Sequence, residues 1–578
     1  MPLQSSALPA SRRPLQRIVV IGAGPVGVPM AVLLAAAPAV ESEPPPEVLL
    51  LQRNSPASGW KVGALNAGRS PVGGDEPDLP ELLAASVASG RLRATHDAAV
   101  LAAADAVVIA TQTDVRGEVP DHEPLLAALD ALGAHLPRRP AAPPLVLLEC
   151  TLAPSAMASV VRPRLTTLGF EEDRDLLLAL SPSRVQPGRL VARLRDADKL
   201  VAGTTPAATA AALAFLRRVV TGGTLHPTNC LTAELVKALE NGWRDVRLAY
   251  TGEVARFTDA HGVDFYALRA EANAALAQAD EAAADRDVVP SGGLLIPTLG
   301  VGGPCLPKDG LLLRWRAREG GLPRDRSVVV AARCLNDEAP RQVLAQMEHA
   351  LGPLNGRAVA LLGAAYRANA GETRHSPALV LARLLLGLGA RVTLHDPHVY
   401  PTDPELRRAG LAELFTRDLA GAVAPAEVLV LCAAHREYQD GRAALLALAR
   451  RATQVFDACN AWQPGDAAPR AYAGLGRGPA APSPQLVADV VAGFRAVERG
   501  MANEVAALLA VLNARYAPTP ADQATLAEVR RLAATCPTGC VLAAPGEVTA
   551  VDGGSGFRSA LVSCAAGGIF SPPPTGAG

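Results

Sequence analysis

Aromatic side chains are scarce in this chain: Phe, Trp and Tyr make up 3% of its 578 residues. That argues against a surface on which nucleobases stack, since such platforms are built from aromatic rings. An excess of one charge is missing as well. Lys and Arg number 55 against 56 Asp and Glu, which leaves no field to attract nucleic acid or an acidic membrane. No run of about eighteen apolar residues free of charge or proline occurs, so no transmembrane helix is expected. Regular cysteine spacing is also lacking. Nine cysteines are scattered over a long chain, the pattern of reduced thiols in the cytoplasm. Cys536 and Cys540 form a CxxxC pair, but no second pair or histidine partner lies near, and no metal site is expected. Residues 1–16 hold Arg12 and Arg13 and no acid; with a strand starting at Arg17 they read as a disordered arm rather than a transit peptide.

What is present is apolar residues in quantity, 49% of the chain, enough to fill the cores of about three or four domains. Ile18-Val19-Val20-Ile21 is a β-branched run ending at glycine, and a helical pattern follows from Val26 to Ala36. Glu47–Leu51, Ala106–Thr111 and Leu145–Glu149 read as further buried strands. Strands alternating with helices predict an α/β fold with a parallel, doubly wound sheet. Residues 229–260 then read as one long helix, suited to a central spine and a contact between copies. A second alternating module begins at Arg357, with strands Ala358–Leu362, Arg391–Leu394, Glu427–Leu431 and Gln454–Phe456 and a helix over Pro377–Leu388. The expected architecture is therefore two Rossmann-like doubly wound domains joined by a long central helix. Gln485–Arg515 is helical in pattern; beyond Pro518 the chain is punctuated by Gly and Pro and has no assignment.

The chemistry-bearing residues fall at the joints of this plan. Gly22-Ala23-Gly24-Pro25-Val26-Gly27 is a GxGxxG turn with a strand before it and a helix after it. Gly22 permits the turn, Gly24 lets backbone approach a pyrophosphate, and Gly27 allows close helix packing. The acid expected at the end of the second strand, which would bind a ribose hydroxyl, is replaced by Gln52-Arg53. An arginine there accepts a 2′-phosphate as readily as it sits in solvent, which leaves NAD and NADP both open. Cys305 follows Gly302 and Gly303 and precedes Pro307, so it stands just before a helix. Unpaired N–H groups and Lys308 are expected to lower its pKa. Taken alone, it is as well read as a small buried hydrophobe. Lys237 and Asn241 share a face of the long helix and suit a developing oxyanion, though a single exposed lysine reads the same way. Thr151 ends a strand, where such sheets bind ligands, or it is a capping hydroxyl.

Together these pieces resemble the UDP-glucose/GDP-mannose dehydrogenase family, the nucleotide-sugar 6-dehydrogenases, over about residues 17 to 478. The segments that carry the resemblance include Lys61-Val62-Gly63-Ala64-Leu65-Asn66, the stretch from Ala233 to Asn241, Gly302-Gly303-Pro304-Cys305 with Lys308-Asp309, and Tyr366-Arg367 with Glu372-Thr373-Arg374. The resemblance implies five segments: the arm 1–16, an NAD-binding Rossmann domain 17–222, a central helical domain 223–338 with the catalytic cysteine loop, a nucleotide-sugar-binding Rossmann-like domain 339–478, and a partly helical C-terminal extension 479–578. It implies oxidation of a sugar C6 alcohol to the uronate through a thiohemiacetal and thioester on Cys305. Lys237 and Asn241 would stabilise anionic intermediates, and Asp309 and Thr151 would position water or accept a proton. Cofactor contacts are implied at Gly22, Gly24, Pro25, Val26, Gly27, Arg53, Thr113, Lys308 and Arg374. Substrate contacts are implied at Gly302, Gly303 and Arg367. A cytoplasmic homodimer or larger homo-oligomer acting on a UDP- or GDP-sugar is expected, with UDP-N-acetylhexosamine and UDP-glucose leading.

Three departures stand out. Ser183 occupies the place of a glutamate linked to thioester hydrolysis, and a hydroxyl is no base at neutral pH. The acid near Leu50 is missing, and Glu372 replaces an aspartate. Two rival readings follow: a catalytically impaired nucleotide-sugar-binding relative, and a two-electron hydroxy-acid dehydrogenase. The second needs neither a cysteine loop nor a second α/β module.

Overall fold

The computed structural model describes residues 15–38, 45–56, 58–138, 140–185, 187–282, 292–536, 540, 542–548 and 554–568. The expected arm therefore lies outside the described residues up to residue 14. Ten strands come from the first 227 residues: β1 Arg17–Ile21, β2 Glu47–Leu51, β3 Leu92–Thr95, β4 Ala106–Ile109, a small hairpin β5 Asp114–Arg116 and β6 Val119–Asp121, then β7 Leu145–Leu148, β8 Leu177–Leu180, β9 Lys199–Gly203 and β10 Leu225–Pro227. All but the hairpin form one sheet in the order β10-β9-β8-β7-β4-β1-β2-β3. The strands from β3 to β8 run parallel. The edge departs from the expected all-parallel sheet, because β9 runs antiparallel to β8.

The central strands of this sheet are nearly continuous apolar runs because both faces are covered. Val19, Leu49 and Val107 face one core, while Ile18, Val20, Leu50 and Val108 face the other. Each such fully buried side chain contributes about 1.5–3 kcal/mol.

The second sheet is all parallel. Its strands are β11 Ala358–Leu362, β12 Arg391–His395, β13 Phe415–Thr416, β14 Val428–Leu431, β15 Gln454–Asp457 and β16 Ala471–Gly474, in the order β13-β12-β11-β14-β15-β16. That is the doubly wound order, with its switch point between β11 and β14. Val359 and Leu361 enter one core and Ala360 and Leu362 the other.

Between the sheets runs a central helix of 31 residues, Cys230–Ala260. Asn229 caps its start, its side chain accepting the Thr232 N–H at 2.8 Å. The helix is buried on nearly every side from Leu231 to Val246, as expected for a helix enclosed by neighbours rather than lying on a surface.

The extension, left unassigned beyond Pro518 by sequence, folds back onto this helix. It contains helices Pro484–Tyr516, Leu526–Ala534 and Ala560–Ala565. Phe494, Leu508, Leu532 and Leu561 join one core with Trp243 and Tyr250 of the central helix. Two carboxylates, one buried and one half-buried, stitch the contact. Glu253 of the central helix accepts from Ser559 Oγ and the Ala560 N–H, both at 2.7 Å. Glu504 accepts from the Val328 N–H at 3.0 Å, which caps the start of helix Val328–Leu351. Part of the face of the central helix, expected from sequence to suit a contact between copies, is thus covered within the chain.

Candidate active site

The first β–α turn is shaped by its glycines. Gly22 has φ +111°, and a Cβ there would lie 2.7 Å from Ala110 O. A Cβ on Gly24 would meet nothing within 4 Å, so backbone and helix N-terminus face open space where a phosphate can approach. Pro25 is exposed and Val26 half-buried. Gln52, in place of the expected acid, braces the turn: its Oε1 accepts the Ala23 N–H at 2.8 Å. Arg53 is exposed beside it. Lys61, to which sequence reading gave no role, donates to Ala23 O at 3.0 Å. Burial lowers its pKa and the neighbouring Arg374 lowers it further. One cation therefore stands on the turn, with the guanidinium of Arg374 within electrostatic reach of it.

Arg374 joins three parts of the chain. Its guanidinium forks onto Glu372 at 2.8 Å and reaches Gln112 Oε1, just after β4, at 2.7 Å. Its backbone carbonyl accepts the Gly303 N–H at 2.8 Å. Gly303 has φ +91°, and a Cβ there would sit 2.7 Å from the Tyr366 ring. A Cβ on Gly302 would meet His375 O at 2.5 Å. The loop before Cys305 is pressed against the segment leading out of β11, and glycine alone fits.

Cys305 opens helix Leu306–Leu313. This helix crosses the central one closely: a Cβ on Gly242 would lie 3.2 Å from Gly310 Cα. That crossing sets Asp309 against Asn241, whose Nδ2 donates to Asp309 Oδ2 at 2.6 Å. Lys308 Nζ donates to the other oxygen, Oδ1, at 2.5 Å. Lysine and carboxylate are both buried. Lys237, one turn before Asn241, is buried too, and no ion pair or hydrogen bond to it occurs among the described residues.

The sequence expectation of an acidified thiol is reversed. Burial pushes the Cys305 thiol up, and Asp309 adds to this; Lys308, Lys237 and Arg374 pull the other way without offsetting it. The leading reason is burial; the negative charge of Asp309 comes second, and Asp309 also holds the Lys308 ammonium that was expected to act on sulfur. A raised pKa means a protonated thiol at neutrality. Alkylation of Cys305 by iodoacetamide in the free protein is therefore expected to rise about tenfold per pH unit from 7 to 8.5. A plateau reached below pH 8, read by peptide mass spectrometry, contradicts this.

Thr151 is half-buried, and its carbonyl accepts from Thr113 Oγ1 at 2.6 Å. That bond joins the ends of β4 and β7. The preceding Cys150, pushed up to about 12 mainly by burial, feels the Lys308 charge, which sets this strand end beside the cysteine helix. Ser183 lies past the end of β8, its N–H on Glu149 O at 3.1 Å and its buried hydroxyl without a partner. Arg367 is exposed. It stands near Arg244 of the central helix, whose pKa is lowered by burial and then by Arg367. Arg244 is a second cation that sequence reading passed over. Its signal was faint: an arginine one turn beyond Asn241 on the same helix.

Three family models match the chain. They describe the NAD binding, central and UDP binding domains of the UDP-glucose/GDP-mannose dehydrogenase family, over residues 16–220, 231–338 and 360–464. Among curated relatives, the UDP-N-acetyl-D-mannosamine dehydrogenase of Pyrococcus horikoshii is 28% identical over 396 residues, covering 68% of this chain and 86% of that protein. The NDP-N-acetyl-D-galactosaminuronic acid dehydrogenase of Ralstonia nicotianae is 29% identical over 432 residues, covering 73% and 91%. Among solved structures, the UDP-D-ManNAc dehydrogenase of Pyrococcus horikoshii has a TM-score of 0.65 at 26% identity, over 80% of this chain and all (100%) of that one. The NDP-N-acetyl-D-galactosaminuronic acid dehydrogenase of Methanosarcina mazei has 0.61 at 30% identity, over 80% and 96%.

Proposed function

Since the chain belongs to the UDP-glucose/GDP-mannose dehydrogenase family, we propose that it carries a UDP-N-acetylhexosamine from C6 alcohol to uronate through a covalent thioester on Cys305. It is an NAD-dependent oxidoreductase acting on nucleotide sugars. The residues present fit NAD: the turn at Gly22–Gly27 has open space before Gly24, with Lys61 bound to it and Arg374 within electrostatic reach of Lys61. When bound, NAD supplies the hydride acceptor for each of the two oxidations.

The chain's own residues do the remaining work. Lys237 and Asn241 hold charge on the C6 oxygen as it becomes anionic, because a fixed cation and an amide in a dry site stabilise such charge strongly. The Cys305 sulfur adds to the aldehyde carbon and forms a thiohemiacetal, which is oxidised to the thioester. Asp309 takes the thiol proton and later directs water onto the thioester, with Thr151 beside it. A neutral resting thiol suits this order, since it is deprotonated only when the carbonyl arrives. Lys61, Arg374, Arg244 and Arg367 provide charge for phosphates.

The observation that carries this reading is the gathering of Lys237, Lys308, Asp309 and Arg374 within electrostatic reach of Cys305, three from the central helices and one from the segment after β11. UDP-N-acetylhexosamine leads because relatives named for N-acetylated sugars match over most of their length; UDP-glucose follows. Cytoplasmic location is part of the same reading and is supported by nine free cysteines. None of the described helices is long and apolar enough to cross a membrane. The test is a spectrophotometric screen of UDP-N-acetylmannosamine, UDP-N-acetylgalactosamine, UDP-glucose and GDP-mannose with NAD. Two NADH per sugar consumed are expected. One NADH per sugar sinks the thioester route, and no NADH with any sugar favours a binding protein, the reading that Ser183 in place of a glutamate motivates.

A further inference from the structure

The extension after residue 478 reaches the active-site helix through one buried arginine. Arg184 directly follows Ser183, and its side chain is 2% exposed. Its Nη2 pairs with Glu240 Oε1 at 2.6 Å and donates to Leu532 O at 3.0 Å. Its Nη1 donates to Thr535 Oγ1 at 2.8 Å and, more weakly, to Asp198 O at 3.3 Å. Leu532 and Thr535 lie at the end of helix Leu526–Ala534.

Glu240 is the residue before Asn241 and one turn after Lys237, so the pair holds the turn of helix that bears both. A buried guanidinium persists only where its protons are taken up and its charge is met. Here one partner comes from the central helix, two from the extension and a weaker one, Asp198 O, from the chain before β9, while Nε has none among the described residues. The family models end at residue 464, so the two from the extension lie beyond every matched domain.

We propose that Arg184 is a positioning residue and that the extension, through Thr535 and Leu532, completes the site by fixing the Lys237–Asn241 turn against the Ser183 loop. This rests on the reading of Lys237 and Asn241 as catalytic residues. The extension is then part of the enzyme's working scaffold and not an appended module. Side-chain geometry carries the coupling: the planar fork of arginine must satisfy helix, loop and extension together, which a lysine cannot do.

The test uses the full chain, with Thr535→Val removing the hydroxyl and Thr535→Ser keeping it. Two quantities are read: kcat and KM for the sugar that the parent oxidises, and the alkylation rate of Cys305, a measure that needs no turnover. Thr535→Val is expected to lower kcat about three- to tenfold with KM within twofold, and to shift Cys305 alkylation about threefold or more. Thr535→Ser keeps both within twofold. If the valine variant does not fold, Arg184→Lys is read in its place, with a larger loss of kcat expected. Parental kcat and parental alkylation in these variants, with only a lower melting temperature, overturn the proposal. Failure of the parent to oxidise any nucleotide sugar defeats the proposed function instead, while the alkylation rates still decide whether the extension positions the turn.

Discussion

A Cys305→Ser enzyme is expected to form no measurable uronate while binding UDP-sugar with an affinity near that of the parent. The replacement is close in volume, so the loop held by Gly303 on Arg374 O and by the Tyr366 ring keeps its shape. What changes is the nucleophile. A serine hydroxyl in this pocket has no imidazole to activate it and is far less acidic than a thiol, so Asp309, which takes the proton of the sulfur, does not generate an alkoxide. Loss of the covalent nucleophile is expected to cost about four to six orders of magnitude in uronate turnover. The first oxidation does not need sulfur, so the aldehyde is the product to look for. Mass spectrometry of the sugar pool and equilibrium titration with UDP-sugar decide it. Uronate at the parental rate removes the covalent route; lost affinity together with lost turnover means that Cys305 shapes the pocket instead.

Much of this site was legible in sequence because its chemistry sits at joints where few residue types fit. The turn at Gly22–Gly27 had to be glycine-rich between a buried strand and a helix. The loop at Gly302–Gly303 had to lack side chains because Tyr366 and His375 occupy that space. The same logic places strands such as β1 and β11, whose unbroken apolar runs need cover on both faces. The sign of the thiol shift was not legible. It depends on burial and on whether Lys308 spends its charge on Asp309, and both are set by a helix crossing at Gly242 and Gly310. The antiparallel strand β9 was hidden for a related reason, since local apolar pattern is the same in either direction. The extension was legible as far as the helix read over Gln485–Arg515, observed at Pro484–Tyr516, and opaque beyond Pro518, where short helices are held by remote carboxylates, Glu253 from the central helix and Glu240 through Arg184. Neither partner is near it in the chain.

Asp309→Asn offers the other large effect, and its two readouts move in opposite directions. The substitution keeps the shape and removes one buried negative charge. Asp309 is one of the two causes that hold the Cys305 thiol up, after burial. Without its charge the thiolate meets less repulsion, and Lys308 is freed to act on sulfur. Burial lowers the Lys308 pKa, and Asp309, Cys305 and Asp114 together raise it by more, so without Asp309 it either stays charged beside the sulfur or gives up its proton. In either case the repulsion from residue 309 is gone, and the thiol pKa falls. Alkylation of Cys305 at pH 7 is expected to rise about tenfold, because a larger fraction of the thiol is ionised. Uronate formation is expected to fall about a hundredfold or more, because the group that takes the thiol proton and directs water is lost. Stability also drops, by about 3 kcal/mol, since a buried ion pair loses its anion. A faster-reacting thiol in a slower enzyme separates acidity from catalysis. If alkylation stays at the parental rate or slows, Asp309 does not govern the sulfur, and the role given to it in proton transfer fails with it.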